Sequence, residues 1–144
     1  MPKLDWMMLA NYAEAPPGGG LVYIMGGAWD TITVQAPLEG APPGAVAAIV
    51  GSLAIRLLFH STEVDRDHKL EIVLQDLDGA EVAKIEGGIR VTKALGLPPG
   101  WEQGTNFVFP LTGLGLPKFG QYTFHLLVDG QHLGERPFRV LKGY

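Results

Sequence analysis

The chain is 144 residues long, with 20 glycines, 11 prolines, 47% hydrophobic residues, 18% charged residues and a formal net charge of −4. That apolar content excludes disorder by composition, and so much Gly and Pro excludes a long helical bundle or coiled coil. The length predicts a single domain over residues 1–144, and the net charge gives no global electrostatic case for nucleic acid.

The first ten residues form a short apolar run, interrupted at Asp5 and ended at Asn11. It is too short for a secretory signal or a membrane span, and no other stretch approaches the roughly 18 apolar residues a spanning helix needs. The expectation is a cytoplasmic protein with no membrane contact. Leu4 to Ala13 and Leu21 to Met25 read as strands joined by the loop Pro16 to Gly20, with Trp6 in the core. Gly26-Gly27 breaks the chain before Trp29, and Ile32 and Val34 carry an alternation through Thr31 to Ala36. Pro37 to Gly44 is a linker between strands. Ala45 to Val50 reads equally as the start of the next strand or as a short helical turn.

Leu53, Ile55, Leu57 and Phe59 then alternate with their neighbours, as do Leu70, Ile72 and Leu74, so each run is a half-buried strand. Asp76-Leu77-Asp78-Gly79 is a turn in which Gly79 is free to take positive φ, and Ala80 to Ile85 returns. The three runs together predict an antiparallel meander. Lys93 to Gly104 is the longest irregular segment, and Phe107, Phe109 and Leu111 alternate after it, with Pro110 marking an edge or bulge. Tyr122, Phe124, Leu126 and Val128 alternate up to Asp129-Gly130, a pair that favours a type I′ hairpin turn. The return strand includes Phe138 and Val140, with Pro137 limiting pairing at its start. Gly120 to Phe124 has the form of a sandwich corner, in which Tyr122 ties its hydroxyl to a nearby loop backbone. The pattern predicts an all-β protein of eight or nine strands: a two-sheet antiparallel β-sandwich, immunoglobulin-like or similar.

Charge is unevenly spread. Between Glu63 and Glu86 eight acids face three bases, whereas after Gly87 six bases face three acids. The distribution reads as two solvated surfaces, with head-to-tail self-association as the alternative. The best candidate site is the segment His60 to His68, where Glu63, Asp65 and Asp67 fall at alternate positions. Carboxylates converging from a loop suit calcium, and His60 with His68 adds imidazoles for a transition metal. The segment lacks the Gly and distal Glu of a calcium-binding hand, and its bland reading is a solvated hairpin. Glu63, Asp65, Asp67 and His68 are the metal candidates.

No catalytic set emerges, so the expectation leans away from an enzyme. The chain has no cysteine, no Ser lies in a G-x-S-x-G context, and His125 sits in a strand as a surface or interface histidine. The Gly runs match no nucleotide-binding loop, so no cofactor is expected. Trp29 and Trp101 flank turns, where they either cover the ends of the core or contact a partner protein or a carbohydrate.

Three stretches carry a resemblance to a known family: Leu9 to Glu14, the segment Leu21-Val22-Tyr23-Ile24-Met25-Gly26-Gly27-Ala28-Trp29-Asp30, and Gly120 to Val140 with its Gly-x-Tyr-x-Phe strand, Asp-Gly turn and Pro-Phe-x-Val strand. Through them the chain resembles a family of small bacterial proteins known as a domain of unknown function. The resemblance implies a β-sandwich and carries over no catalytic residues. The leading functional expectation is a non-enzymatic binding or assembly module that engages a protein partner or another copy of itself, without nucleic acid. A metal-dependent module or enzyme at the 60–68 loop and carbohydrate binding at the tryptophans are the alternatives.

Overall fold

The computed structural model describes residues 1–17, 20–39 and 44–144, so the expected loops Pro16 to Gly20 and Pro37 to Gly44 fall partly outside the described residues. The described residues form an all-β protein of eleven strands in three sheets. The first sheet has the order β2 (Tyr23–Trp29), β1 (Lys3–Glu14), β5 (Ser52–Phe59) and β8 (Gln103–Pro110). The second has the order β3 (Thr31–Val34), β11 (Gln131–Lys142), β10 (Gly120–Val128), β6 (Asp67–Asp76) and β7 (Glu81–Arg90). The two-residue strands β4 (Ala47–Ala48) and β9 (Gly115–Leu116) pair as a third. Among the described residues no helix is long and apolar enough to cross a membrane.

The strand count and the pairing depart from the expectation of eight or nine antiparallel strands in two sheets. β4 and β9 are too short to leave an alternation, so their pairing alone reveals them; within 45–50 only Ala47–Ala48 is strand, separate from β5, and no helical turn forms there. β3 runs parallel to β11, from Arg139↔Thr31 to Lys142↔Val34. The expected meander is also corrected. β6 and β7 do form a hairpin, but β5 lies in the other sheet, so residues 60–66 carry the chain across from one sheet to the other. Consecutive strands usually neighbour one another, and alternation alone does not report which sheet a strand joins.

The turns follow their local chemistry. Asp76 accepts the N–H groups of Asp78 and Ala80 on Oδ1 at 2.9 and 3.0 Å, and Gly79 takes φ +85°. Asp129 and Gly130 both have positive φ, +51° and +79°, as a type I′ turn requires. Pro137 does not curtail pairing: β11 begins at Gln131, and Pro137 sits opposite Thr123. β3 joins the other side of β11 only from Arg139 onward, so Pro137 occupies a stretch with a free edge. Gly26-Gly27 does not break β2, which runs on to Trp29. A Cβ on Gly26 would enter the Asn11 side chain, and one on Gly27 would come within 2.7 Å of Ile24 Cγ2.

The core draws on both larger sheets. Leu53, Ile55, Leu57 and Phe59 from β5 meet Leu70, Ile72 and Leu74 from β6, with Tyr122, Phe124, Leu126 and Val128 from β10. Each such side chain contributes about 1.5–3 kcal/mol on burial. Phe138 stacks on Tyr122 and Phe124 with centroids 5.5 and 5.4 Å apart. The expected corner is present: the Tyr122 hydroxyl donates to the Lys118 carbonyl at 2.6 Å and accepts the Lys118 N–H at 3.0 Å.

Trp6 is not in this core. A register shift between Leu4 and Trp6 changes the phase of β1, so that Leu4 and Met7 pack toward the core and Trp6 turns to the opposite face.

Candidate functional site

The segment His60 to His68 becomes a crossover whose polar groups are satisfied by the protein itself. Glu63 and His68 are buried, while Asp65 and Asp67 are exposed. The Glu63 carboxylate accepts the His60 N–H at 2.8 Å and pairs with the N-terminal ammonium of Met1. Burial pushes the Glu63 carboxyl up, but the ammonium and the His60 N–H outweigh it and hold the group below the usual carboxylate range. Asp65 accepts the Lys93 N–H at 3.2 Å, and Asp67 pairs with Arg90 at 3.3 Å.

His68 links this crossover to the far hairpin. Its Nδ1 lies 2.6 Å from Asp129 Oδ2 and its Nε2 lies 2.6 Å from the Glu63 carbonyl oxygen. Both oxygens only accept, so the doubly protonated imidazolium is the form that satisfies both contacts. Burial pulls the imidazole pKa down, yet the Asp129 carboxylate and the Glu63 carbonyl together raise it above its ordinary value. Asp129 in turn is held low, first by His68 and then by the Lys69 N–H it accepts at 2.9 Å. In this state His68 offers no lone pair to a metal. Among the described residues, the donor atoms of Glu63, Asp65, Asp67 and His68 do not converge at one point.

A different group does converge. On the β10–β11 hairpin, His125 Nδ1 is 3.0 Å from His132 Nε2 and 3.6 Å from Glu135 Oε2. Among the described residues this is the group of three His and acidic side chains whose ligand atoms all lie within 4.8 Å of one another. His125 is half-buried, and His132 and Glu135 are exposed. On an unbroken strand His132 and Glu135, three apart, point to opposite faces. A bulge intervenes: Leu126 pairs with Gly134 and Leu127 with His132, which leaves Leu133 extra. Both side chains therefore share the outward face with His125. The only sequence signal was two histidines either side of a hairpin turn, and the bulge hid the third residue.

The two turn tryptophans have different surroundings. Trp29 packs edge-on against Phe138 at the rim of the core, with a buried indole N–H that has no hydrogen-bond partner among the described residues. Trp101 is 62% exposed, in a turn closed by its own N–H to the Pro98 carbonyl.

The first sheet carries a second apolar cluster on the face turned from the main core. Ala10, Ala13 and Ala54 are buried there beneath the half-buried Trp6, Met8, Ile24 and Val108. Beyond the core the β1–β2 ribbon continues with Tyr12 opposite Met25 and Glu14 opposite Tyr23. Tyr12, Tyr23 and Met25 are 52%, 56% and 68% exposed, and β2 is the outermost strand of its sheet.

Residues 5–141 match the model of DUF6941, a family of unknown function. No curated protein matches the chain. Among solved structures it is similar to the Pseudomonas fluorescens alkylpurine DNA glycosylase AlkC bound to DNA containing an abasic site analog, at 12% identity and a TM-score of 0.40. The match covers 97% of this chain and 30% of that one. Beside this match the exclusion of nucleic acid drawn from net charge is withdrawn. The physical reason is that net charge sums the whole surface, whereas phosphates are met by local basic patches. A likeness this loose assigns the chain no ligand.

Proposed function

The chain belongs to the DUF6941 family, and we propose that it is a binding or assembly module without catalytic activity, which engages a protein partner or a second copy of itself through its first sheet. The observation that carries the reading is the apolar surface of that sheet. Trp6, Met8, Ile24 and Val108 sit half-buried on its outer face, and at its edge Tyr23 and Met25 of β2, with Tyr12 of β1, stand exposed. Apolar side chains left exposed on a strand with a free edge are the arrangement that proteins use for docking and otherwise suppress. The main core shared by the two larger sheets supports reading the architecture as a single sandwich domain, immunoglobulin-like or similar.

The test compares the wild-type chain with a double variant, Tyr23→Lys and Met25→Lys. Both side chains are exposed, so the fold is retained. Sedimentation velocity across a micromolar series and affinity capture are run on both proteins. The reading predicts association or a captured partner for the wild type that the double variant loses. A strictly monomeric wild type with the same capture profile as the variant refutes it.

A further inference from the structure

We propose that the outward face of the β10–β11 hairpin is a binding site for a divalent transition ion of the zinc class, held by His125, His132 and Glu135. The site is independent of the apolar sheet and lies on the other large sheet.

The donor set suits such an ion. Two imidazoles and one carboxylate are the ligand types that zinc and its neighbours take, and they leave a fourth position open. The spacing suits it too. Metal–ligand bonds of about 2.0–2.1 Å at a tetrahedral angle place two ligand atoms about 3.3 Å apart. His125 Nδ1 and His132 Nε2 are 3.0 Å apart, and His125 Nδ1 and Glu135 Oε2 are 3.6 Å apart, one on each side of that value. Two of the three spacings thus lie within a few tenths of an ångström of the value an ion needs, and the third, between His132 and Glu135, lies within 4.8 Å.

The backbone holds these positions before any ion arrives. The Asp129-Gly130 turn sets the hairpin register, which puts His125 directly opposite Glu135. The extra residue at Leu133 then rotates His132 onto the same face. Gly134, beside the bulge, is closely covered: a Cβ there would enter the Leu4 side chain, so the hairpin is packed down against β1 at this point. The inner face of β10 is anchored by the buried Phe124 and Leu126 on either side of His125. A rigid β-hairpin therefore presents the three ligands.

The local charge is compatible. Val73 of β6 neighbours His125, and Lys84 of β7 neighbours Val73. That lysine is paired with Glu71 and Glu86 at 3.1 and 3.0 Å, so the cation nearest along this row is neutralised by its own partners. A metal takes a lone pair from each of the two facing ring nitrogens in place of the hydrogen bond between them. The exposure of His132 and Glu135 leaves the fourth position to water or to a donor group from a bound molecule.

The experiment is calorimetric titration of the full chain with zinc, nickel, calcium and magnesium, repeated on His132→Ala and Glu135→Gln. Both replaced side chains are exposed, so the core is left intact. Side-chain nitrogen NMR of the histidines locates the ion. Zinc and nickel are expected to bind one per chain while calcium and magnesium give no heat. Each substitution is expected to weaken zinc by about ten-fold or more, and the His125 and His132 ring signals should move while that of His68 stays. Absence of zinc binding by the wild type overturns the proposal. So does binding that both variants retain at full strength, or an ion whose signature falls on His60 or His68.

Discussion

Replacing Asp129 by Asn isolates the charge that His68 feels. Asn-Gly suits a type I′ turn as well as Asp-Gly does, and the amide oxygen still accepts the Lys69 N–H, so the hairpin keeps its shape. What is lost is the carboxylate 2.6 Å from a ring that is 2% exposed. A hydrogen bond to a charged group contributes about 1.5–3 kcal/mol. Asp129 is 39% exposed, so solvent screening places this one at the lower end, about 1.5 kcal/mol, or roughly ten-fold in the folding equilibrium. The pH dependence has a definite sign. The folded-state pKa of His68 is raised, so its stabilisation is complete below the unfolded value of about 6.5 and is lost as pH rises through the folded value. The pKa of Asp129 is lowered, so its share is complete above about 3.9 and is lost as pH falls through its folded value. The gap between wild type and Asp129→Asn is therefore widest between about pH 4 and pH 6.5. Urea unfolding of both proteins across a pH series measures it. A gap that stays constant with pH, or that grows toward alkaline pH, refutes the ion pair as its origin.

Two further substitutions probe the scaffold. Tyr122→Phe removes the hydroxyl that serves both backbone groups of Lys118, and thermal unfolding should register a loss of about 1–2 kcal/mol. If the variant melts with the wild type, the corner tie contributes nothing. Gly51→Ala places a Cβ at φ +145° directly against the Ala10 carbonyl oxygen, and a loss of about 3 kcal/mol is expected from strain and clash. Gly87→Ala meets nothing within 4 Å and serves as its control, expected within about 0.5 kcal/mol of wild type by the same denaturation assay.

Much of the strand pattern is legible from local chemistry alone. Along β10, Tyr122, Phe124, Leu126 and Val128 are buried in strict alternation, and the Asp129-Gly130 turn and the Tyr122 tie appear where residue type predicts them. The same alternation misleads wherever a residue is added to a strand. The shift before Trp6 turns that ring out of the core, and the bulge at Leu133 brings His132 and Glu135 together although their spacing separates them. The candidate site was thus illegible for a definite reason: one inserted residue reverses every side chain beyond it.

The all-β class, the runs that form most strands and the chemistry of the turns are all written locally in the chain, because each depends on a few adjacent residues. The tertiary structure decided the rest. It put β5 and β6 in different sheets, set β3 parallel to β11, and occupied both nitrogens of His68 with oxygens from two separate segments. It also gathered two imidazoles and a carboxylate on one face of a hairpin. Those outcomes depend on register and on contacts between residues far apart in the chain, which a periodicity of two does not record.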